Sequence, residues 1–347
     1  LAFLSYQKSN SIDTIIRETS KIRGITYSSK DVKLSKVSQD QIEYSLNSNT
    51  NDEVTDIDLL YRAFKYFESD DTINKISTEN FNSEVLGYYS VENKTFYISS
   101  SSSQNSTLST LERYLYAHEF THYLQDTKFD IATIENKFGL QSEQNSDQAI
   151  AFLALIEGDA TFSAMMYTTH NNVNQIEQSL SSALENGNDQ KMHPYAWEIN
   201  KFHYIEAPLF ILKKYKHENN FNSINDLYQT LSFSTGDIIS NSNSYNHNLK
   251  TELLTNELKD IEIKYALTSY TPIFENYSLG PWEIRTIFSK FLPNDDIEEI
   301  LNLIESSSLA LWYKDYEETN DSYLIYWKID YKDNKPNITQ NFEKYCE

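Results

Sequence analysis

In YAHEFTHYLQD, residues 116–126, two of the chain's seven histidines stand four positions apart around a glutamate. The surrounding pattern predicts a helix: Leu111, Leu115, His118, His122 and Gln125 or Asp126 recur every three to four residues, with Thr107 and Thr110 as candidate caps. At about 100° per residue, His118 and His122 fall about 40° apart and one turn above one another, so both imidazoles reach one ion. Glu119 lies beside that face. The spacing is that of HExxH, in which two imidazoles hold a metal and the glutamate takes the proton of a water the metal has made acidic. The alternative at this point is plainer: two hydrated imidazoles and a carboxylate on a solvated helix face.

The rest of the sequence limits what else a metal has to hold it. Cys346 is the only cysteine, which excludes an internal disulfide framework, a CxxC redox motif and a thiolate cage, so any ligand is His, Asp or Glu. A third histidine in the HExxHxxGxxH manner is absent, because Gln125 stands in the glycine's place and Lys128 in the histidine's. The other route is a glutamate on a following helix. DQAIAFLALIEGDATFSAMMY, residues 147–167, offers Glu157 directly after eight consecutive apolar residues, on the face shared with Ile150, Ala154 and Thr161. An unpaired carboxylate there costs several kcal/mol to bury, so the position calls for a cation, a partner or solvent access. Gly158 in mid-helix costs about 1 kcal/mol relative to alanine and predicts the close approach of another backbone or of a metal site. His118, His122 and Glu157 together leave a fourth position open for water, the pattern of a catalytic zinc and not of a closed structural one.

Composition removes several classes of function. The balance of 29 basic against 51 acidic residues, a net charge of −22, repels phosphate backbones, so nucleic acid is not an expected partner. The longest apolar run, AIAFLALI at 149–156, is far below the roughly 18 residues of a membrane span. The chain begins at Leu1 without methionine, and the expectation is that an N-terminal signal or anchor precedes it, with LAFL its tail. The sequence contains no GxSxG elbow, GxxxxGK[ST] loop, GxGxxG turn or DxDxDG loop. Acidic runs at 294–299 and 315–321 read as helix starts and solvated loops. His170, His193, His217 and His247 have no partner at ligand spacing and read as surface or capping residues.

Coarse organisation follows from periodicity. A helix is expected within DLLYRAFKYF (58–67), a strand near IRGITY (22–27), and a hairpin over LGYYSVENKTFYIS (86–99), turning at Glu92-Asn93. Serine- and asparagine-rich stretches at 99–107 and 240–248 read as surface loops. From about residue 146 the pattern is mostly helical, with SYLIYWKIDY (322–331) the best late strand.

HEFTH followed by ALIEGDAT resembles the gluzincin side of the zincin metallopeptidases, most closely a group of exported prokaryotic proteins with an HExxH helix and an EGDA helix. Looser matches run along most of the chain, at IRGI, VLGYY, FSTGDII, LGPW and WYKDY. NNFNS (219–223) and SNSNSYNHN (240–248) depart from it, where a Gly-Gly-Trp turn and a His-Pro segment belong. The resemblance implies His118, His122 and Glu157 as Zn2+ ligands and Glu119 as general base. Asp126, one turn beyond His122, is the candidate to hold that ring in its metal-binding tautomer, with Asp159 a weaker one. His203 and Tyr204 are candidate donors to an oxyanion, Tyr204 preferred. The expected fold is α+β: a zincin-like metallopeptidase domain with a small N-terminal mixed sheet, an active-site HExxH helix and a mostly helical C-terminal half. Residues 1–145 form its α+β part with the edge hairpin, and 146–347 the mostly helical part, within one integrated catalytic domain. The expected activity is zinc-dependent hydrolysis of peptide or protein substrate outside the cytoplasm, secreted or surface-anchored. The competing reading is a zincin-like scaffold that binds a partner and no longer turns over substrate.

Overall fold

The computed structural model describes residues 11–28, 32–47, 53–81, 87–99, 108–138, 146–186, 192–240, 270–293, 304–314 and 322–331, with positions 258, 296–297 and 300–301. The loops expected at 99–107 and 240–248 and the acidic runs at 294–299 and 315–321 lie largely outside the described residues, as do His247, Cys346 and the first ten positions. The described chain mixes helices with two small three-stranded sheets, an α+β composition. It divides into two compact units, residues 1–51, 76–138 and 151–232 against 52–75, 139–150 and 233–347.

The first unit begins with helix α1 (Ile12–Arg23), capped by Ser11, whose hydroxyl accepts from the Thr14 amide, and closed by Gly24 at φ 68°. That closure corrects the strand expected at 22–27. Ile22 and Arg23 belong to the helix, Gly24 takes the left-handed conformation that ends it, and the strand forms instead at Lys33–Val37, β1. After α2 (Gln39–Asn47) in this unit, the hairpin forms where its alternation predicts, β2 (Gly87–Ser90) and β3 (Thr95–Ser99), with Lys94 at φ 51° in the turn. β1 joins β3 in parallel, so the order is β1-β3-β2 and β2 is an edge. Tyr89, Phe96 and Ile98 are buried, and Tyr89 and Phe96 pack against Phe120, Tyr123 and Leu124 of the long central helix Thr110–Phe129.

That helix is α5, since α3 (Asp56–Ala63) and α4 (Ile73–Phe81) precede it. Its cap is Ser109, not Thr107 or Thr110: the Ser109 hydroxyl accepts from the Glu112 amide at 3.1 Å while Glu112 reaches back to the Ser109 amide at 2.7 Å. α5 buries residues on every side, from Tyr116 through Asp126, which makes it central. α6 (Ile131–Phe138) follows, then α7 (Ser146–Thr168), whose stretch Asp147–Thr168 is long and apolar enough to cross a membrane by length and composition. Most of that stretch is buried inside the protein and it carries Glu157 and Asp159, as a core helix does. α8 (Val173–Asn186), α9 (Pro194–Lys201), α10 (Ala207–Glu218) and α11 (Asn222–Thr230) complete the unit. Between α9 and α10 the helix widens into a π turn over Phe202–Glu206. Pro208 explains it: lacking an N–H and clashing with the carbonyl four residues back, it breaks the α ladder at Tyr204, and the Ala207 amide bonds Phe202 instead.

In the second unit, α12 (Thr235–Ile239) and α13 (Pro281–Ser289) accompany an antiparallel sheet, β4 (Thr271–Tyr277), β5 (Ile304–Lys314) and β6 (Ser322–Tyr331), in that spatial order. Only β6 was expected, so the C-terminal half is helical through Ile239 and carries a sheet beyond it. β5 hides from periodicity because Ser307 to Trp312 are all buried, which erases the alternation a half-exposed strand shows. β4 is disguised by Pro272 and by register shifts at Pro272/Phe274 and Phe274/Tyr277.

Candidate metal centre

α5 and α7 bring three donors to one point. His118 and His122 lie one turn apart on α5 with their ring planes at 84°, and their Nε2 atoms are 3.0 Å apart. Glu157 of α7 places Oε2 3.1 Å from His118 Nε2 and Oε1 3.7 Å from His122 Nε2. Donors about 2.0–2.1 Å from one tetrahedral ion stand about 3.3 Å from each other, so this triangle needs only small adjustment to close on zinc. It is the one group of three His, Cys, Asp or Glu side chains close enough to hold an ion among the described residues. Burial alone pushes the Glu157 carboxyl up, but His122, then the hydrogen bond and charge of His118, and His203 outweigh it and bring it down to about 2. Glu157 is therefore a carboxylate at any physiological pH, as a ligand must be.

Glu119 does not join the triangle. Its Oε2 accepts from the Tyr89 backbone amide at 2.9 Å, so the edge strand β2 and Glu119 face each other. Burial raises its carboxyl to about 7, with His122 opposing, Glu157 adding and the Tyr89 amide opposing. Among the described residues β2 has β3 on one side only, and the Tyr89 N–H points away from that partner.

Gly158 behaves as its mid-helix position predicts. A Cβ there meets Ala207 Cβ at 2.7 Å and the Ala207 carbonyl carbon at 2.8 Å, so only glycine lets the start of α10 lie against α7 one residue past the ligand. The approach brings the π turn with it. The ring centre of Tyr204 lies 6.3 Å from that of His118, and its phenol is raised well above 10, first by the Glu157 charge and then by burial. His203 is close enough for Glu157 to influence it, yet burial prevails and lowers its imidazole to about 4, leaving it neutral. Its Nε2 is buried with no hydrogen-bond partner among the described residues.

Neither aspartate hydrogen bonds a histidine ring directly. Asp126 does not touch His122; its Oδ2 accepts from the Tyr89 hydroxyl at 2.7 Å and pairs with Lys94 Nζ at 2.5 Å. It fastens the hairpin to α5: the drift of about 40° over four residues turns it from His122 toward Tyr89 and Lys94. The ring of His122 meets Gln125 instead, Nδ1 to Oε1 at 3.0 Å, and Gln125 Nε2 lies 3.1 Å from Asp159 Oδ2. Asp159, fully buried, also takes Arg23 Nε at 2.9 Å and the Tyr228 hydroxyl at 3.0 Å. Motif reading passes over Gln125, Tyr89, Arg23 and Tyr228. Only Gln125 carries a signal in the sequence, its three-residue spacing from His122 on one helix. Of the remaining histidines, His193 caps α9 by accepting from the Tyr195 amide at 3.1 Å, and neither His170 nor His217 enters the ligand group.

Compared with protein-family models, with curated proteins and with solved structures, the chain matches none.

Proposed function

We propose that the chain is a zinc-dependent peptidase of gluzincin type, zincin-like in fold. The observation that carries the reading is the convergence of His118 Nε2, His122 Nε2 and a Glu157 oxygen, with Glu119 beside them but outside the set. A structural zinc has no use for that extra carboxylate, whereas hydrolysis needs a base within reach of the attacking water. His118, His122 and Glu157 fit zinc by donor type and separation, and the ion, when bound, would supply a Lewis acid for water and for the scissile carbonyl.

The chain's own groups supply the rest. Glu119 takes a proton from the attacking water and passes it to the departing amine. Tyr204, whose phenol keeps its proton beside the charge of Glu157, stabilises the oxyanion of the tetrahedral intermediate. The free edge of β2 pairs with an extended peptide backbone next to Glu119, which aligns the scissile bond.

Elemental analysis of the purified protein beside Glu157→Ala, with casein cleavage measured before and after a chelator, tests this. The expectation is near one zinc per chain, lost in the variant, and cleavage that stops with chelation while the fold persists. A wild type that stays metal-free in added zinc overturns the reading.

A further inference from the structure

The orientation of one buried amide decides more than its own hydrogen bonds. Gln125 is fully buried, and its Nε2 faces two groups that only accept, the Ile156 carbonyl at 3.0 Å and Asp159 Oδ2 at 3.1 Å. The amino end of the side chain must therefore point at them, which turns the carbonyl oxygen toward His122 Nδ1 at 3.0 Å. An amide oxygen accepts and never donates, so His122 Nδ1 carries a hydrogen. In a neutral ring Nε2 is then bare, and this is the atom that faces His118 Nε2 and Glu157.

The supports of the amide are fixed in turn. Asp159 is held by Arg23 Nε and the Tyr228 hydroxyl, and the Arg23 guanidinium lies 4.5 Å over the Phe221 ring with its side chain wholly buried. The negative charge of Asp159 is thus matched by Arg23, and the neutral amide of Gln125 stands between it and His122. A carboxylate in Gln125's place would keep an acceptor for the ring but lose both donations and face Asp159 as a like charge.

We propose that Gln125 is a positioning residue for the metal ligand His122: its amide, locked by Asp159 and Ile156, holds His122 in the Nδ1–H tautomer and presents the Nε2 lone pair to the ion. Gln125's role toward the ion rests on the peptidase reading; its role toward the ring does not. A polar partner on the far nitrogen of a ligating histidine is worth about 10- to 100-fold in metal affinity.

The test uses the full chain, metal-free, with 15N-labelled histidine, and reads the His122 tautomer from long-range 1H–15N correlations, assigned with His122→Gln. Zinc affinity of the same proteins is then read by competition with a chromophoric chelator. The expected result is Nδ1–H in the wild type. Gln125→Leu loses that preference and binds zinc about 10- to 100-fold more weakly, while Gln125→Glu, which keeps an oxygen for Nδ1, stays closer to the wild type on both readouts. A folded Gln125→Leu with unchanged tautomer and affinity overturns the proposal. If neither variant folds, the wild-type spectrum decides alone: a proton on Nε2 overturns the tautomer lock. A wild type that shows Nδ1–H but takes up no zinc supports the lock and overturns the peptidase reading.

Discussion

On the proposed reading turnover depends on Glu119, and its surroundings make the substitution clean. Glu119→Gln keeps an oxygen for the Tyr89 amide, so the contact between β2 and α5 survives while the base is lost. The expected outcome is unchanged zinc stoichiometry with peptide cleavage lower by about 10²- to 10⁴-fold; cleavage at the wild-type rate removes Glu119 from the chemistry. Tyr204→Phe separates the two candidate oxyanion donors. The phenol contributes a donor and no ligand, so kcat should fall by about 10²- to 10³-fold with KM and zinc content little changed. His203→Gln should cost much less, because His203 is neutral and its Nε2 makes no hydrogen bond to the site. A larger loss from His203→Gln than from Tyr204→Phe would exchange their roles.

At the scale of elements, the site is held by three pieces of backbone: α5, α7 and the π turn before α10. The first two were legible in the sequence because helical spacing puts His118 above His122 and because a glutamate after eight apolar residues demands a partner. The π turn was not, since its cause is local: Pro208 removes one rung of the ladder, and that effect is visible only once the helix around it is known. At Asp126 spacing is likewise not enough. Spacing alone puts it near His122, but its side chain leaves toward the hairpin, where Lys94 and Tyr89 take it. Asp126→Asn should therefore leave zinc affinity within about two-fold and raise KM for an extended peptide, because the hairpin loses its fastening; a selective loss of zinc would return Asp126 to the ring of His122. Gly158→Ala tests the approach of α10 to α7. Alanine is the better helix former by about 1 kcal/mol, yet its Cβ falls 2.8 Å from the Ala207 backbone carbon, and overpacking of that kind costs about 1–3 kcal/mol. The variant should melt lower, and a higher melting temperature would show that α10 yields freely.

Across the whole molecule, an excess of 22 negative charges makes pH a strong lever, and individual carboxylates contribute with opposite signs. Glu18 and Asp70, held below the usual carboxylate range by Lys21 and Lys75, lose the benefit of those partners as pH falls through their lowered values. Asp147, at the first turn of α7 in the second unit, runs the other way. It accepts from the Thr235 hydroxyl and, at 3.4 Å, from the Thr235 amide, and the Thr235 hydroxyl oxygen in turn takes the Trp282 amide at 3.0 Å. Burial raises its carboxyl from 3.8 to about 6; the bonds from Thr235 oppose the rise and the charge of Asp237 adds to it. The folded chain therefore binds this proton more tightly than the unfolded chain does. Above pH about 6 both states are ionised and the buried charge is a standing cost; between about 6 and 3.8 the folded state alone takes up the proton, and the cost is relieved as pH falls. Asp147→Asn removes the titration while keeping an oxygen for the Thr235 hydroxyl. Its melting temperature should exceed that of the wild type by a few degrees at pH 7, and the gap should narrow steadily toward pH 4. A gap that is constant across that range, or that widens as the solution is acidified, would mean that Asp147 stays ionised in the folded chain and that its bonds to Thr235 outweigh burial.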